Sequence, residues 1–512
     1  MPYKEVSENQ AEKLLKAGIK NHAEGNIYEA EKYYKKFLES NYINPDVLTN
    51  YGVICKQRGD KQKAIELYKK AVKLYPKNAE AFSNLGSLLL ELNKAKEAVL
   101  YLKKAVVLKK NFANAHYNLG AALIDLERFE EAELSTKKAI EINPEEARAH
   151  CNLGAILKNL GQLEEAKSSL QKALKLNKDL VRTYFVLSLI INNKENFEQE
   201  EYLFSREIIE NKSKQDVIDI NFARSNIKHK QKEYTQSAKF LQEANTIKLS
   251  IYPSDLNYLC KKNKRLQEEA KTFLKEERRN NNEKDSIFIV GLPRSGSTLL
   301  ESVVSMNPIV KDLGEVNYLE EAYLEWGKNK NQSLEEIYLS KLPELTNNEK
   351  ITTNKWLYNF QYTGIISKCM PSAKIIYCVR NPFDNILSIY RAHFALGNRF
   401  SSSIEDTAKL YLEEKKLMKN YIEQFPKNIY KINYESVVKN SESTIKNLIE
   451  WLGWEWDKKY LSPELNNRSI ATASSVQARS RINTKSISSW KNYSILLEPA
   501  INIISKEQSL IV

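Results

Sequence analysis

Small and apolar residues recur along the first third of the chain with a period of 34 residues. Glycines mark the period, with an alanine twelve residues after each and another small or aromatic residue seven residues further on. The glycines are Gly18, Gly52, Gly86, Gly120 and Gly154, the alanines are Ala30, Ala64, Ala98, Ala132 and Ala166, and the third set is Phe37, Ala71, Ala105, Ala139 and Ala173. Small residues in phase let two helices of each unit cross closely, so the pattern predicts a stack of helix pairs.

This period is typical of tetratricopeptide repeats, and five regular copies are predicted over residues 11–180. The phase then decays, and helical patterns from Phe185 to Asn192 and from Asp219 to Asn245 predict degenerate repeats to about residue 250. We therefore predict an α-solenoid over residues 1–260. Its concave surface would receive a peptide, protein or glycan acceptor. The alternative is a structural platform or a dimerisation arm. A dimerisation arm would make the protein a homodimer.

Charged residues dominate the stretch that follows, with 15 of the 25 residues between 261 and 285 charged. Such a stretch is typical of a solvated helix or a linker. Within it, the run Asn280–Asn282 predicts a break. We predict that residues 261–285 connect the solenoid to a second domain.

The remaining residues, 286–512, alternate between strand and helix patterns. The apolar run Ile287–Val290 predicts a buried strand, and Lys374–Val379 and Asn428–Asn433 predict two more. The intervening helices are predicted from Pro382 to Phe394, from Ser403 to Gln424 and from Glu435 to Leu452. This alternation predicts a three-layer α/β domain with a parallel sheet, in which ligands bind at the carboxyl ends of the strands.

A glycine loop directly follows the first of these strands. Gly291 and Gly296 have the G-x-x-x-x-G spacing of a P-loop, and a helical pattern begins after them. Such a loop presents backbone N–H groups and a helix N-terminus to an anion. Ser297, however, stands where a nucleoside triphosphatase carries its phosphate-binding lysine. The loop therefore predicts an anion site and argues against a nucleotide kinase or NTPase.

The loop sequence PRSGST, Pro293–Thr298, resembles the 5′-phosphosulfate loop of sulfotransferases that use 3′-phosphoadenosine 5′-phosphosulfate (PAPS). The resemblance is to the tyrosylprotein sulfotransferase type, in bacterial proteins with tetratricopeptide repeats in front, and it covers nearly the whole chain. It implies a sulfotransferase domain with PAPS as cosubstrate and no metal. It also implies that the loop holds the 5′-phosphate and sulfuryl oxygens through Arg294, Ser295, Gly296, Ser297 and Thr298.

Two further residues gain a catalytic role from this resemblance. It implies that Glu315, in Leu313-Gly314-Glu315, is the base that takes the proton from the acceptor hydroxyl. It also implies that Lys355 stabilises charge on the sulfuryl group and the leaving phosphate, as Arg294 would. Here Asn354 replaces the aspartate of similar enzymes, and Trp356-Leu357 replace methionine-proline. The alternative interpretations are a surface acid near a helix start and an exposed lysine.

The rest of the nucleotide site is also implied by the resemblance. Arg380 and Ser388, eight residues apart, resemble the 3′-phosphate site, since arginine offers a fork of donors that fits phosphate. Tyr434 would contact the nucleotide or be a core tyrosine. Ser474 matches a serine that contacts the 3′-phosphate, in a segment resembling the element that closes over the nucleotide. Ser489 stands where the family has a lysine, whose charge Lys485 or Lys491 would supply.

Composition narrows the function classes. The net charge is +13, but bases and acids are mixed except between residues 466 and 499, so nucleic acid is not favoured over a small polyanion. Five scattered cysteines and five histidines predict reduced thiols and no metal cluster. The sequence has neither an apolar run of membrane-spanning length nor an apolar signal core after Met1, so we expect a cytoplasmic protein that does not enter a membrane.

The leading hypothesis is thus a PAPS-dependent sulfotransferase. The acceptor stays open between tyrosine in a protein or peptide and a sugar or small molecule. The alternative is an interaction scaffold whose α/β domain is catalytically silent. The sequence predicts four charged residues at one cleft: Arg294, Glu315, Lys355 and Arg380. Burying such charges costs free energy, which argues against a catalytically silent domain.

Overall fold

The computed structural model describes residues 7–191, 198–275, 285–328, 331–346, 348–394, 397–466, 470 and 475–507. The chain divides into two compact units, Met1–Leu180 and Val181–Val512. No helix within the described residues is long and apolar enough to cross a membrane.

The described residues of the first unit, 7–180, form an array of ten helices. They are α1 Glu8–Ala23, α2 Ile27–Glu39, α3 Pro45–Gln57, α4 Lys61–Leu74, α5 Ala79–Glu91, α6 Ala95–Leu108, α7 Ala113–Asp125, α8 Phe129–Ile142, α9 Ala147–Leu160 and α10 Leu163–Leu176. Short polar side chains cap several of them; the Asn44 side chain accepts hydrogen bonds from the N–H groups of Asp46 and Val47 at the start of α3. The predicted helical repeats are confirmed.

The repeating glycines lie where paired helices cross. A Cβ atom added at Gly86 of α5 would lie 2.5 Å from Leu102 Cγ of α6, and one at Gly154 of α9 would lie 2.5 Å from Leu170 Cγ of α10. Leu102 and Leu170 are completely buried. The 34-residue period therefore records one packing contact made once in each repeat.

In the second unit, five helices precede the sheet within residues 181–191 and 198–275. They are α11 Val181–Ile190, α12 Glu200–Phe204, α13 Lys214–Lys230, α14 Tyr234–Ile251 and α15 Leu256–Thr272. Helix α13 packs against α11 and α14, as expected for degenerate repeats. Helix α15 covers the first part of the predicted linker and buries Leu259, Leu266 and Ala270. The predicted break at residues 280–282 lies outside the described residues, and the predicted domain boundaries stay predictions.

A five-stranded parallel sheet follows. Its strands are β1 Asp285–Val290, β2 Val310–Asp312, β3 Ile351–Asn354, β4 Lys374–Val379 and β5 Ile429–Asn433, in the order β2-β3-β1-β4-β5. Neighbouring strands are in parallel register, with Ile287 opposite both Thr353 and Lys374. The predicted parallel sheet is confirmed, and β2 and β3 are additions to the three predicted strands.

Helices cover both faces of this sheet. They are α16 Ser297–Val304, α17 Tyr318–Trp326, α18 Leu334–Ser340, α19 Thr363–Cys369, α20 Pro382–Tyr390, α21 Ile404–Gln424, α22 Tyr434–Lys439, α23 Ser441–Leu452, α24 Ser475–Ala478 and α25 Glu498–Ser505. Short 3₁₀ helices span Glu207–Ile209, Asn359–Tyr362, Arg399–Ser402, Lys458–Leu461, Pro463–Leu465 and Ser489–Tyr493.

Alternation along the strands separates two apolar cores. On β1, Phe288 and Val290 face the core that includes α19 and α21, whereas Ile287 and Ile289 face the core that includes α16 and α23. Successive side chains of a strand point to opposite faces, so a strand buried on both sides contributes to both cores. The predicted three-layer architecture is confirmed.

We expect the substitution Gly86→Ala to destabilise the first unit. The added methyl group would have to displace a branched carbon of buried Leu102, at a net cost of about 1–2 kcal/mol after the gain in helix propensity. Urea unfolding measures this, with Ser87→Ala on the same helix as the control. Equal midpoints for the two variants would show that the crossing tolerates a side chain.

Candidate active site

The predicted site residues follow the carboxyl ends of the strands. Gly291 follows β1, Lys355 follows β3, Arg380 follows β4, Tyr434 follows β5, and Glu315 lies three residues after β2. Because the strands are parallel and in register, these ends lie along one edge of the sheet. Site residues that are spread between positions 291 and 434 of the sequence therefore meet at one edge of the sheet.

The glycine loop has a backbone that only particular residues adopt without strain. Gly291 has φ of 141° and Gly296 has φ of 104°, and Arg294 between them has φ of 66°. A Cβ atom at Gly291 would lie 2.6 Å from the carbonyl oxygen of Cys378 on β4. Gly296 then caps α16, so Ser297 and Thr298 supply the first N–H groups of that helix. This geometry directs helix N–H groups and the dipole toward the loop.

Two buried polar atoms at the loop lack a hydrogen-bond partner among the described residues. They are Ser295 Oγ and Arg380 Nε, on side chains that are 3% and 7% exposed. A buried donor without a partner is costly, and such groups in a folded protein need an explanation. An anion bound in the loop would supply the missing acceptor.

Arginines cluster beside this loop. Arg380 donates to the carbonyl oxygen of Arg294 at 3.0 Å, and Arg294 Nε donates to Ser388 Oγ at 3.0 Å. Burial lowers the pKa of the Arg294 guanidinium to about 10; Arg380 and Arg391 act in the same direction, and Tyr434 and Glu315 oppose them. Positive charges therefore repel one another at this loop, and a bound anion would reduce that repulsion.

Tyr434 forms part of the wall of this loop. Its ring lies 4.8 Å from the guanidinium carbon of Arg380, and a Cβ atom at Gly296 would lie 2.6 Å from Tyr434 Cδ2. The Tyr434 hydroxyl and Ser486 Oγ are 2.8 Å apart. A glycine at position 296 is thus needed for the close approach of this tyrosine as well as for its φ angle.

A second charge cluster lies beside the first. Lys355 Nζ donates to Glu315 Oε1 at 2.7 Å and lies 4.0 Å from Glu301 Oε2. The side chains of Lys355 and Glu301 are each 1% exposed, and that of Glu315 is 24% exposed. The predicted base and the predicted charge stabiliser are therefore in contact, and Glu315 is the carboxylate that a substrate can reach.

Asn354 fixes the backbone that carries Lys355. Its Oδ1 accepts from the N–H of Trp356 at 3.0 Å and from Asn359 Nδ2 at 2.8 Å, and its Nδ2 donates to the Tyr338 hydroxyl at 3.3 Å. The N–H of Lys355 itself donates to the carbonyl oxygen of Gly314 at 2.9 Å. Both the oxygen and the nitrogen of the Asn354 amide therefore form hydrogen bonds that hold this turn.

The end of the chain lies against the same loop. We name residues 475–493 the closing segment. Arg380 donates to the Ser486 carbonyl oxygen at 3.0 Å, and Arg294 donates to Gln477 Oε1 of α24. Lys485 and Lys491 are exposed. Ser474, the predicted 3′-phosphate contact, lies outside the described residues.

Asp384, near the start of α20, anchors the closing segment. Its carboxylate accepts from the N–H of Ser488 at 2.7 Å, from Ser489 Oγ at 3.1 Å and from the N–H of Trp490 at 2.9 Å. Asp384 is 2% exposed. Ser489, at the position of the family lysine, is thus a partner of this carboxylate.

Helix α20 is also held at its far end. Asn245 of α14 donates to the carbonyl oxygen of Tyr390 at 3.1 Å, and Lys248 donates to that of Phe394 at 2.7 Å. Arg391 Nη1 and Nε2 of His229 on α13 are 3.1 Å apart. The helices between residues 214 and 251 therefore fix the element that carries Asp384 and Ser388.

Four residues of the site were not predicted from the sequence: Glu301, Asp384, Gln477 and Ser486. Glu301 had a recognisable signal, since it is a single carboxylate within the apolar run of a helix that follows a glycine loop. Asp384 resembles an ordinary acidic residue in the first turn of a helix. No group of three or more potential metal-ligating side chains is found in the part of the chain that the structure describes.

Comparison with known families supports the resemblance. Residues 286–458 match the profile of the sulfotransferase family. Residues 52–93, 79–112, 113–146 and 147–180 match profiles of the tetratricopeptide repeat. Residues 286–458 form a sulfotransferase-family domain.

Two relatives align across part of the chain. An uncharacterized protein of Aquifex aeolicus (strain VF5) is 26% identical over 323 residues, which are 57% of this chain and 42% of that protein. A Caenorhabditis briggsae protein named "Putative protein-tyrosine sulfotransferase" is 22% identical over 230 residues, 40% of this chain and 80% of that protein. The chain thus spans less than half the length of the Aquifex relative.

Solved structures align with part of the chain. MamA residues 41 to the end from Desulfovibrio magneticus RS-1 are 25% identical with a TM-score of 0.31, covering 34% of this chain and 98% of that one. A tetratricopeptide repeat protein from Parabacteroides merdae is 20% identical with a TM-score of 0.34. The alignment covers 46% of this chain and 93% of that one.

We expect Asp384→Asn in the sulfotransferase-family domain to loosen the closing segment. The substitution removes the charge that three donors share and turns an NH₂ group toward them. Trypsin cleavage after Arg481 or Lys485 should accelerate about tenfold or more, as expected from losing charge-assisted hydrogen bonds. Asp457→Asn, at an exposed carboxylate, is the control. Equal cleavage rates in both variants would mean that Asp384 does not anchor the segment.

Proposed function

We propose that this protein transfers a sulfuryl group from PAPS to a hydroxyl acceptor. The observation that carries the proposal is the arrangement at the sheet edge. Two buried groups without a hydrogen-bond partner among the described residues, Arg380 Nε and Ser295 Oγ, lie at the glycine loop, and the Glu315–Lys355 pair lies beside them. The sulfotransferase-family match of residues 286–458 supports the same reaction class.

The loop would bind the donor through its 5′-phosphosulfate. N–H groups at the start of α16 and the side chains of Arg294, Ser295 and Thr298 would contact the phosphate and sulfuryl oxygens. Arg380 and Ser388 would hold the 3′-phosphate, with Tyr434 against the nucleotide. Lys485 or Lys491 of the closing segment would add positive charge. Cationic side chains would thus supply the electrostatic stabilisation that Mg²⁺ gives in NTPases.

Glu315 would act as the general base and Lys355 as the charge stabiliser. A hydroxyl is a weak nucleophile near neutral pH, so a positioned carboxylate that removes its proton lowers the barrier. The partial exposure of the Glu315 side chain, 24%, and its contact with buried Lys355 support this role. An acceptor could therefore reach the carboxylate from solvent.

The proposed acceptor is the hydroxyl of a tyrosine in a protein or peptide. The name of the Caenorhabditis briggsae relative supports tyrosine in a protein or peptide. The repeat array would recruit such an acceptor, because stacked helix pairs offer a concave surface to an extended chain. Sugars and small hydroxyl compounds are the alternatives.

We expect adenosine 3′,5′-bisphosphate to bind in the low micromolar range, with or without Mg²⁺. Arg380→Ala should weaken binding by about tenfold to a hundredfold, the value of charge-assisted hydrogen bonds to one phosphate. Arg380→Lys should retain part of the affinity, since it keeps the charge without the fork. Isothermal titration calorimetry measures all three proteins, and Arg265→Ala on α15 is the control.

The same titration distinguishes the alternatives. Metal-dependent ATP binding without adenosine bisphosphate binding would contradict the sulfotransferase proposal. Binding of neither nucleotide by a folded protein would instead favour an interaction scaffold. Thermal unfolding of each variant checks that the Arg380 side chain, which also holds backbone carbonyl groups, is dispensable for folding.

We expect Glu315→Gln to lower kcat for sulfuryl transfer by about 10²- to 10⁴-fold, the range for a general base. The affinity for adenosine 3′,5′-bisphosphate should change little, because the amide keeps an acceptor for Lys355. The assay uses radiolabelled PAPS with tyrosine peptides, sugars and phenols as acceptors. Glu325→Gln, at an exposed carboxylate, is the control. Unchanged kcat in the Glu315 variant would assign the base to another group.

A further inference from the structure

The ammonium group of Lys355 has two carboxylate neighbours of different kinds. Glu315, after β2, is partly exposed and 2.7 Å away, and Glu301, on α16, is buried and 4.0 Å away. Cys378 on β4 is another titratable group near it; burial raises the pKa of that thiol, and the charge of Lys355 opposes the rise. One cation therefore lies between a carboxylate that substrates can reach and one that they cannot.

Glu301 is held in place by its surroundings. Its Oε1 accepts a hydrogen bond from Thr353 Oγ1 of β3 at 3.2 Å. The residue lies one turn beyond Ser297, on the helix whose first N–H groups serve the anion loop. The helix that would bind the donor thus also carries the second carboxylate beside Lys355.

The proposed transfer changes the charge around Lys355. The acceptor oxygen forms a bond to sulfur, and the bond between sulfur and the bridging oxygen of the donor breaks. The bonding electron pair leaves on the phosphate, and the proton of the acceptor hydroxyl passes to Glu315. Glu315 becomes neutral, so Lys355 loses its nearest negative partner as negative charge grows on the leaving phosphate. A buried ammonium with no carboxylate nearby is driven toward its neutral form.

We propose that Glu301 is a positioning residue that keeps Lys355 charged and in place while Glu315 takes the proton. This inference rests on the proposed function. It assigns the two carboxylates separate tasks, with Glu315 reacting and Glu301 remaining an anion throughout. A purely structural ion pair would affect stability without affecting the pH dependence of kcat.

The test is the pH profile of sulfuryl transfer by Glu301→Gln. We expect kcat to fall about 10²-fold, comparable to misplacing a catalytic group by about 1 Å. The alkaline limb of the profile should move to lower pH, because the Lys355 ammonium would lose its buried anionic neighbour. The KM for PAPS and the affinity for adenosine 3′,5′-bisphosphate should change less than threefold, because the donor contacts are retained.

A matched control lies elsewhere in the same unit. Glu414 of α21 is also 1% exposed, and it lies 3.6 Å from Lys415 and accepts from the Tyr377 hydroxyl. Glu414→Gln should lower thermal stability without shifting the pH profile. Thr353→Val, which keeps Glu301 but removes its donor, should give a smaller loss of kcat with the same direction of shift. It also provides a test if Glu301→Gln does not fold.

The outcomes separate the two levels of the proposal. If the wild type neither binds adenosine bisphosphate nor transfers sulfate, the proposed function fails and the role of Glu301 fails with it. If the wild type transfers sulfate and the Glu301 and Thr353 variants keep its kcat and pH profile, only the role of Glu301 is overturned. An equal shift in the Glu414 variant would also overturn it, because the effect would then be general to buried carboxylates.

Discussion

Burial of positive charge is the constraint on which this sheet edge depends. Removing an ion from water costs several kcal/mol unless partners replace the lost solvation. Lys355 is compensated by two carboxylates of the protein. The guanidinium of Arg380 donates hydrogen bonds to backbone carbonyl groups, and its Nε has no hydrogen-bond partner among the described residues. One side of the site is thus neutralised by the protein, and the other is suited to the charge of a ligand.

The parallel sheet makes this arrangement possible. Lys355 and Arg380 directly follow strands and Glu315 lies three residues after one, so their positions follow from the register of those strands with their neighbours. Three strands and the glycine loop were predictable because Ile287–Val290, Lys374–Val379 and Asn428–Asn433 are apolar and flanked by turn residues. The repeats were predictable because the same crossing contact recurs at fixed spacing.

Strand β3 was not predictable from apolar patterning. Thr352, Thr353 and Asn354 are polar and yet fully buried, because each forms hydrogen bonds inside the protein. Strand β2 has only three residues, too few for a period-two pattern. Glu301 and Asp384 act through distant partners. Lys355 is 54 residues after Glu301, and Ser488 is 104 residues after Asp384. Such pairings exist only in the folded chain, so local sequence rules cannot reveal them.

The contact between Asp384 and Ser488–Trp490 also bears on how the protein matures. Translation delivers the loop, the sheet and α20 before the closing segment emerges from the ribosome. A growing chain can therefore form the sheet and its buried cations while the segment that lies against Arg294 and Arg380 is still missing. The site reaches its described form only when synthesis has passed residue 490, so the last contacts of the pocket form after the sheet and its buried cations.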